Sequence, residues 1–551
     1  MRRTLILLSS LVALLCCGGV APAAQGEPYV VYTANSFANG AVILRTDPAT
    51  GELVEISRNG AQGSFFQRPF DLAVEADGSL VVADMGEPCT AQMEPCPHDG
   101  RVIRVDPLTG RQVLVSSGGE LVDTAGIAVA PNGALYVVDN LAADDDGGVL
   151  RIDPGTGAQT MISRGGGLLE PHFDLPFGVA FDRDGSLLVT NRGAPGSSCL
   201  NIGSVIRVDP TTGARSAVAS GVLLLSLPFG LVVDPQGRIV FSNECGDHAL
   251  VRITSLLPLI LDGLTSPSPG VLTIAERIAL TPGGGFLVTD FGPTPGDGGI
   301  VAVPADGGTP TLLRTDPLFN HPLGIAAVVN HPPAAALTVD PGVVAAGRPV
   351  RLDGSGSRDP DGHRLVYEWD LDGDGTFEAG SGSNPTATRS FTVDGIATVR
   401  VRVNDPHGGR AVAEALATVD GSMPVITGAR TGAKVLGVGR RPRTRRRPPR
   451  ATTLRFGLSE EATVTVTLER ARSGRRRNGA CRPRAKRGRR CLIWSRARRT
   501  TRVAQAGRNA IPVRAKGLSP GRFRLVLQAV DRVGNTSTRR TLPLRVVRFR
   551  D

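Results

Sequence analysis

Short apolar runs separated by turns recur along the first 330 residues. In each repeat an apolar strand leads into an Asp-Gly-type turn, a second strand, a loop, and a strand ending in a turn such as DPATG at 47–51. Asn-Gly and Asp-Gly favour tight hairpins because both residues tolerate positive φ. The first strands begin at Asp71, Gly126, Gly178, Gly230, Arg277 and Gly324, with spacings of 55, 52, 52, 47 and 47 residues. The pattern predicts repeated four-stranded antiparallel meanders.

The repeat that begins at Gly324 lacks three strands of its own, whereas the N-terminal segment has three surplus strands at 29–34, 41–47 and 53–57. Joining the two would complete a sixth sheet and close a ring. Closure removes exposed sheet edges, which would otherwise pair with other chains. The first fold prediction is therefore an all-β six-bladed β-propeller over residues 27–331.

The phrase PFGVAFDRDGSLLVTNRG at 176–193 resembles NHL-type and streptogramin-lyase-like six-bladed propellers and, more distantly, the gluconolactonase family. The resemblance covers roughly residues 27–331. It implies the propeller fold, and it implies little about function because propellers serve both as enzymes and as binding scaffolds. Enzymes of these families hold a divalent metal with Asn, Asp and Glu around the channel, and the lyases use a catalytic His.

Residues 335–420 read as short alternating strands. They contain GSGSRDPDG at 354–362, YEWD at 367–370 and ATVRVRVND at 397–405. These phrases resemble the PKD domain over the whole segment. The resemblance implies an Ig-like β-sandwich with Trp369 in its core, used as a spacer or adhesive module.

The C-terminal part is rich in arginine. Residues 421–450 contain a run of Arg and Pro, which predicts an extended basic linker because like charges repel and proline blocks helix. Residues 451–549 show strands at 462–468 and 523–530, and LSPG at 518–521 followed by AVDRVGN at 529–535 resembles the last hairpin of Ig-like modules. A second, basic Ig-like β-sandwich is predicted there.

Charge is distributed unevenly along the chain. The 551 residues carry a net charge of +11, but residues 1–420 have 26 Arg against 46 acidic residues, whereas residues 421–551 have 33 Arg and 3 Lys against 5. A basic tail on an acidic body indicates an anionic partner for the tail. Specific reading of nucleic-acid bases needs aromatic residues beside the charges, and only Trp494 is close, so non-specific polyanion binding is favoured.

The N-terminus has the layout of a secretory signal peptide over residues 1–24. Arg2 and Arg3 precede an apolar run, and Ala21-Pro22-Ala23 offers a cleavage site. The apolar run is too short for a comfortable membrane span, so no transmembrane segment is predicted. We expect a secreted, extracellular protein, with association to the cell surface left open.

Six cysteines remain after the predicted cleavage, and an even count in an exported chain indicates disulfides. Cys89 with Cys96 and Cys481 with Cys491 are local pairs. Cys199 and Cys245 then pair by elimination.

Each predicted second strand ends in an acid or an amide, and the repeat places these side chains in one ring. They are Asn35, Asp84, Asp139, Asn191, Asn243 and Asp290. Carboxylate and amide oxygens suit calcium or magnesium, which makes the ring a candidate ligand site. The alternative is structural, because Asp and Asn at a strand end often bond the backbone of the next turn.

A second candidate metal site lies in the PKD-like segment. Asp370, Asp372 and Asp374 have the spacing of the first half of a calcium-binding EF-hand loop. The Glu expected at the twelfth position is absent, since Ser381 stands there and Glu378 falls too early. A turn rich in Asp and Gly is the competing interpretation.

The first strand of each repeat would be the inner strand that lines the channel of the propeller. The residues at the starts of these inner strands mostly cannot bind a metal: Phe70, Ala125, Phe177, Phe229, Glu276 and Leu323. The leading hypothesis is therefore a non-catalytic extracellular binding or adhesion protein, whose propeller binds a carbohydrate, an envelope polymer or a protein. The alternative is a metal-dependent lyase or lactone hydrolase of the streptogramin-lyase or gluconolactonase type. A buried, convergent cluster of carboxylates, a histidine and a metal would favour the enzyme, and a channel mouth lined by Phe70, Phe177 and Phe229 without such a cluster would favour binding.

Overall fold

A computed structural model describes residues 27–549 except 37–39, 61–64, 88–98, 143–145, 166–170, 194–202, 221–224, 246–248, 257–258, 266–270, 295–296, 441–446, 478 and 484–485. The predicted signal peptide and Cys89, Cys96 and Cys199 lie outside the described residues. The chain forms two compact units. Unit 1 comprises the described part of Met1–Pro333 with Arg358–Leu365 and Asn404–Arg410, and unit 2 comprises Ala334–Ser357, Val366–Val403 and the described part of Ala411–Asp551.

Unit 1 contains 24 strands among its described residues. They are β1 (Tyr29–Asn35), β2 (Val42–Thr46), β3 (Leu53–Arg58), β4 (Pro69–Val74), β5 (Leu80–Asp84), β6 (Arg101–Val105), β7 (Gln112–Ser117), β8 (Thr124–Val129), β9 (Leu135–Asp139), β10 (Gly148–Ile152), β11 (Gln159–Arg164), β12 (Pro176–Phe181), β13 (Leu187–Asn191), β14 (Ser204–Val208), β15 (Arg215–Ser220), β16 (Pro228–Val233), β17 (Ile239–Asn243), β18 (Leu250–Leu256), β19 (Leu259–Thr265), β20 (Ala275–Leu280), β21 (Phe286–Asp290), β22 (Gly299–Val303), β23 (Thr311–Thr315) and β24 (Pro322–Val329).

These strands form six four-stranded antiparallel sheets. Five sheets take consecutive strands, and the sixth has the order β24-β1-β2-β3. Tyr29 of β1 pairs with Val329 of β24, so the surplus N-terminal strands complete the last repeat as the repeat count predicts. The first strands β4, β8, β12, β16, β20 and β24 each contact the next in this order, and β24 contacts β4.

The second strand is buried along its whole length in five sheets, as in LVVAD of β5 and LYVVD of β9, and in the sixth only Tyr29 of β1 is partly exposed. Such continuous burial requires cover on both faces, and neighbouring sheets supply it. Val81 and Ala83 of one sheet, for example, share an apolar cluster with Leu135 and Val137 of the next. The outermost strands are less buried and carry the polar residues.

Close approach of the first strands explains why the third residue of four of them is glycine. A Cβ on Gly178 would lie 2.5 Å from the backbone oxygen of Phe229 in the adjacent first strand, and a Cβ on Gly324 would lie 2.7 Å from the Cα of Asp71. Real Cβ atoms do not come this near to backbone, so the spacing of the strands depends on glycine at these positions. Arg277 stands at the corresponding position of β20.

Strands β25 to β41 belong to unit 2. The exceptions are Asn404 at the end of β31 and Arg410 at the start of β32, which are assigned to unit 1. The strands are β25 (Thr338–Asp340), β26 (Val343–Ala345), β27 (Pro349–Asp353), β28 (Val366–Asp370), β29 (Ala379–Gly382), β30 (Thr386–Ser390), β31 (Gly395–Asn404), β32 (Arg410–Asp420), β33 (Ile426–Thr431), β34 (Val435–Val438), β35 (Ala451–Leu458), β36 (Ala462–Arg477), β37 (Ala480–Arg482), β38 (Arg490–Ala504), β39 (Gly507–Arg514), β40 (Gly521–Val530) and β41 (Arg540–Arg548).

The PKD-like segment forms two sheets, β25-β27-β30 and β26-β32-β31-β28-β29. Trp369 is 1% exposed, as predicted for a core residue, and its indole N–H donates to the hydroxyl of Ser381 at 2.9 Å. The C-terminal segment forms sheets β33-β35-β39 and β34-β41-β40-β36-β37, with β38 paired to β36. One apolar cluster, which includes Phe456, Val464 and Leu525, draws on both of these sheets.

The predicted linker over 421–450 differs from the structure. β33 pairs with β35 and β34 pairs in parallel with β41, so the C-terminal sheets begin well before residue 451. Ile426 and Leu436 are buried in the shared core. These strands are short and surrounded by Gly and Arg, and they are held by partners distant in sequence, which local pattern does not reveal.

The described residues include cysteines of two predicted disulfides. Cys481 and Cys491 form a disulfide with a Cα–Cα distance of 6.0 Å, as predicted. Cys245 is disulfide-bonded as well, and its predicted partner Cys199 lies outside the described residues. Within the described residues no helix is long and apolar enough to span a bilayer.

Candidate functional site

Side chains of the predicted ring of acids and amides accept hydrogen bonds from backbone N–H groups. Asp84 accepts the N–H groups of Gln67 at 2.9 Å and Arg68 at 3.2 Å, which immediately precede the first strand of the same sheet. Asp139 accepts those of Val122 and Asp123 at 2.8 and 3.0 Å in the same way. The structural alternative therefore describes the observed contacts of these side chains, and ligand binding by the ring stays a prediction.

The other members of the ring follow this pattern in part. Asp290 accepts the N–H groups of Thr273 and Ile274, both at 2.7 Å, and Asn191 accepts that of Asp174 at 2.6 Å. Asn35 donates to Thr33, and Asn243 is buried like the rest. In four of the sheets, the strand-end side chain thus fixes where the first strand starts, and it thereby positions the residues that open that strand.

Three of those opening residues meet in the middle of the first-strand ring. The ring centroids of Phe70, Phe177 and Phe229 lie 4.9–5.6 Å apart. Arg277 stacks on this group, with its guanidinium carbon 4.8 Å from the centroid of Phe229. Its Nη2 reaches across from β20 to the backbone oxygen of Ala125 in β8 at 2.6 Å.

Charged residues gather beside the phenylalanines on one side of the ring. Glu276 opens β20, and His321 immediately precedes β24, with 3.7 Å between His321 Nε2 and a Glu276 oxygen. Arg192 and Glu244 follow β13 and β17 at equivalent positions and form an ion pair. We call Phe70, Phe177, Phe229, Arg192, Glu244, Glu276, Arg277 and His321 the mouth cluster.

The mouth cluster contains a buried acceptor without a donor among the described residues. Glu276 is 6% exposed, and its Oε2 has no hydrogen-bond partner among the described residues. Burial raises the pKa of Glu244 to about 7, with the charge of Glu276 adding to the shift and Arg192 and Arg277 opposing it. Buried polar atoms without partners are costly, so a ligand that donates to Glu276 would gain affinity here.

Sequence reasoning placed the three phenylalanines and Glu276 at the starts of the inner strands. It did not single out Arg192 or Arg277. The repeat contained signals for both residues. Arg277 stands where four of the other first strands have Gly, and Arg192 directly follows the ring residue Asn191. What the repeat cannot show is that these side chains turn inward.

The predicted metal site in the PKD-like segment is brought together as a group. Oxygens of Asp370, Asp372, Asp374 and Glu378 lie within 4.8 Å of one another. Asp370 is fully buried and accepts Nη1 of Arg400 at 2.9 Å and the N–H of Gly375 at 3.0 Å. Burial raises the pKa of Asp370, but Arg400 and the backbone donors outweigh it and hold the pKa below its usual value. Arg400 thus occupies one side of this group, and metal binding there stays a prediction.

Comparison with known proteins supports one segment. Residues 330–419 match the PKD domain family, which agrees with the phrases read from the sequence. No protein of curated function matches the chain. A solved structure of the extracellular domain of a one-component system from B. thetaiotaomicron has 14% identity and a TM-score of 0.32. The alignment covers 96% of this chain and 58% of that one, so the chain spans little more than half of the solved structure, and the likeness carries no argument.

We expect Asp139→Ala to lower the free energy of unfolding by about 2–4 kcal/mol, because it leaves several buried N–H groups without an acceptor. Asp139→Asn should cost less than half as much, since Asn191 serves the equivalent position with an amide oxygen. Chemical denaturation of the full chain at pH 8 measures both. Equal losses for the two variants, or no loss for either, would contradict the anchoring role.

The pKa of Glu244 predicts a pH effect on stability. A carboxyl whose folded-state pKa lies above its unfolded value costs stability as pH rises from about 4.5 to 7. Glu244→Gln should remove up to about 3 kcal/mol of that decline. Unfolding free energies at pH 4.5, 6 and 8 test this, with Glu87→Gln as the exposed control. Parallel curves for Glu244→Gln and the unchanged chain would refute it.

Proposed function

We propose that the chain is an exported, non-catalytic binding protein with a six-bladed propeller, a PKD domain and a basic Ig-like module. The basic module attaches it to anionic polymers such as envelope polymers or polysaccharides, and the mouth cluster holds a ligand. The sequence pattern of a signal peptide supports export. The disulfide between Cys481 and Cys491 and the disulfide-bonded Cys245 support it as well, because disulfides persist in oxidising compartments.

The six four-stranded sheets support the propeller. Their first strands contact one another in order, with β24 returning to β4, and successive sheets bury apolar faces against each other. A meander repeated around a closed ring of first strands is the architecture of a propeller. The boundaries 27–331 for the propeller and 335–420 for the PKD domain belong to the same proposal.

One observation carries the polymer-binding proposal. The hairpin of β36 and β38, residues 462–504, presents exposed basic side chains along its length, and its tip is closed by the Cys481–Cys491 disulfide. Its one acidic residue, Glu469, is already paired with Arg524. The exposed arginines are Arg472, Arg476, Arg482, Arg487, Arg489, Arg490, Arg496, Arg498, Arg499 and Arg502. We call this segment the basic hairpin.

Repulsion among these arginines is reduced when a polyanion replaces their small counterions. Release of counterions then supplies the binding energy, which makes such binding weaken steeply with salt. The single tryptophan of the hairpin, Trp494, is covered by the guanidinium of Arg524 at 4.4 Å. That contact favours a partner recognised by charge over one recognised by base stacking.

We expect the full chain to bind dextran sulfate and alginate at low ionic strength, with affinity falling linearly on a log–log plot against salt. Replacing Arg496, Arg499 and Arg502 with Gln should weaken binding about tenfold at 0.1 M salt and flatten the slope. Surface plasmon resonance on immobilised polymer measures both.

The matched control replaces three exposed arginines of unit 1, Arg111, Arg151 and Arg183, with Gln. It removes the same charge and should leave the affinity within about twofold. Equal weakening in both triple variants would show that net charge, not the basic hairpin, governs attachment. Salt-independent binding would show a different mode of recognition.

An enzymatic function remains the second candidate, because Glu276, Glu244 and His321 converge in a partly buried cluster. The cluster does not fit the divalent metal used by the resembling enzyme families. Arg192 and Arg277 lie beside the two carboxylates and offset their charge, so a divalent cation would gain little attraction there. No step through a metal follows from these residues.

A direct assay separates binding from catalysis. We expect no hydrolysis of δ-gluconolactone by the full chain above the spontaneous rate, with or without Mg²⁺. Turnover that disappears in Glu276→Gln but persists in the exposed-site variant Glu87→Gln would overturn the non-catalytic proposal. Proton release followed in a weakly buffered solution gives the rate.

A further inference from the structure

Three carboxylates from three separate segments of unit 2 converge on one point. Asp420 ends β32, Glu460 lies in the turn between β35 and β36, and Asp531 directly follows β40. One oxygen of each lies within 4.8 Å of the others. We call Asp420, Glu460 and Asp531 the carboxylate cluster. It joins the last strand of the PKD-like segment to two loops of the C-terminal sheets.

Only one of the two carboxylate oxygens of Asp531 accepts hydrogen bonds among the described residues. Its Oδ1 accepts the N–H groups of Val533, Gly534 and Asn535 at 2.9, 2.7 and 2.9 Å. Its Oδ2 is buried and has no hydrogen-bond partner among the described residues, and the residue as a whole is 7% exposed. One desolvated carboxylate oxygen of the cluster therefore has no donor among the described residues.

The other two carboxylates are also fixed in place. The side-chain amide of Asn535 donates to the backbone oxygen of Asp420 at 2.7 Å, which ties the end of β32 to the Asp531 loop. The turn that carries Glu460 is held by Ser459, whose N–H donates to Val425 O at 3.2 Å and whose hydroxyl accepts Val425 N–H at 2.9 Å. The convergence is thus built by hydrogen bonds to backbone on all three segments.

The composition of the module makes this cluster unusual. Residues 421–551 contain 36 basic residues and 5 acidic ones, yet two of those five acids meet Asp420 here. No basic side chain forms an ion pair with any of the three in the described part of the chain. Burial, followed by the charges of Asp420 and Asp531, raises the pKa of Glu460. Three like charges would repel unless a cation lay between them.

We propose that the carboxylate cluster binds a calcium ion. Its donors are all oxygens, which hard divalent cations prefer, and it lacks the His or Cys ligands typical of zinc. Calcium accepts six to eight oxygen ligands in flexible geometry, whereas magnesium demands near-ideal octahedral geometry and keeps several waters, so carboxylates fixed on three separate segments suit the larger ion. Backbone oxygens and water would complete the shell. Bound calcium would lock the end of β32 to the C-terminal sheets.

Calcium titration of the full chain tests the site. The competing group at Asp370 is first disabled with Asp372→Asn and Asp374→Asn, and the calcium binding that a further Glu460→Gln change removes is assigned to the carboxylate cluster. In that background we expect one calcium ion to bind with Kd of about 10⁻⁴–10⁻³ M or tighter, the range of extracellular modules. Magnesium should bind at least tenfold more weakly. Isothermal titration calorimetry measures both ions.

Glu460→Gln should weaken calcium binding at least tenfold, and Glu461→Gln, which changes the exposed neighbouring residue, should leave it unchanged. Asp420→Asn provides a second loss variant should Asp531→Asn impair folding. Saturating calcium should also raise the melting temperature by roughly 2–4 °C in the background chain and not in Glu460→Gln. Absence of binding at 10 mM calcium, or equal binding in Glu460→Gln, would overturn the proposal.

Discussion

The pairing of β1 with β24 is the contact on which unit 1 depends. It joins two strands separated by almost 300 residues of chain, from Tyr29 to Val329, and it turns a row of sheets into a closed set. Loop-closure entropy grows slowly with length, so the cost of this contact is modest compared with the two sheet edges that it removes. Because every second strand is buried on both faces, an open row would leave one apolar face uncovered at each end.

One repeated position of the first strands holds glycine in some sheets and a charged residue in others. The third residue of four first strands is glycine, since the adjacent first strand leaves no room for a side chain at Gly178 or Gly324. At the equivalent positions Arg277 and Asp71 fill the middle of the ring, and 3.7 Å separates their charged groups. The side chains one residue earlier become phenylalanine or Glu276. A small departure from the repeat therefore builds the mouth cluster on one side of an otherwise regular frame.

Unit 2 is governed by a different constraint, the excess of positive charge. Ten arginines are exposed along the basic hairpin, where solvent ions screen their repulsion. Residues 421–551 contain only five acidic residues: Glu469 pairs with Arg524, whereas Glu460 and Asp531 lie with Asp420 and form no ion pair among the described residues. The same composition thus produces an exposed basic surface and, at another place, a group of carboxylate oxygens.

The sequence alone determined the elements that depend on local and periodic information. The turns, the repeat spacing, the four strands of each sheet, the PKD phrases with Trp369 in the core and the Cys481–Cys491 pair were all predictable, because each follows from alternation, turn chemistry or short separation. The tertiary structure alone decided what depends on distant partners. The ring acids anchor backbone, the strands β33 and β34 occupy a segment that reads as a linker, Arg277 crosses to Ala125, and three carboxylates from residues 420 to 531 converge. Periodicity specifies which face of a strand is buried, but the neighbour on that face is chosen by packing across the whole chain.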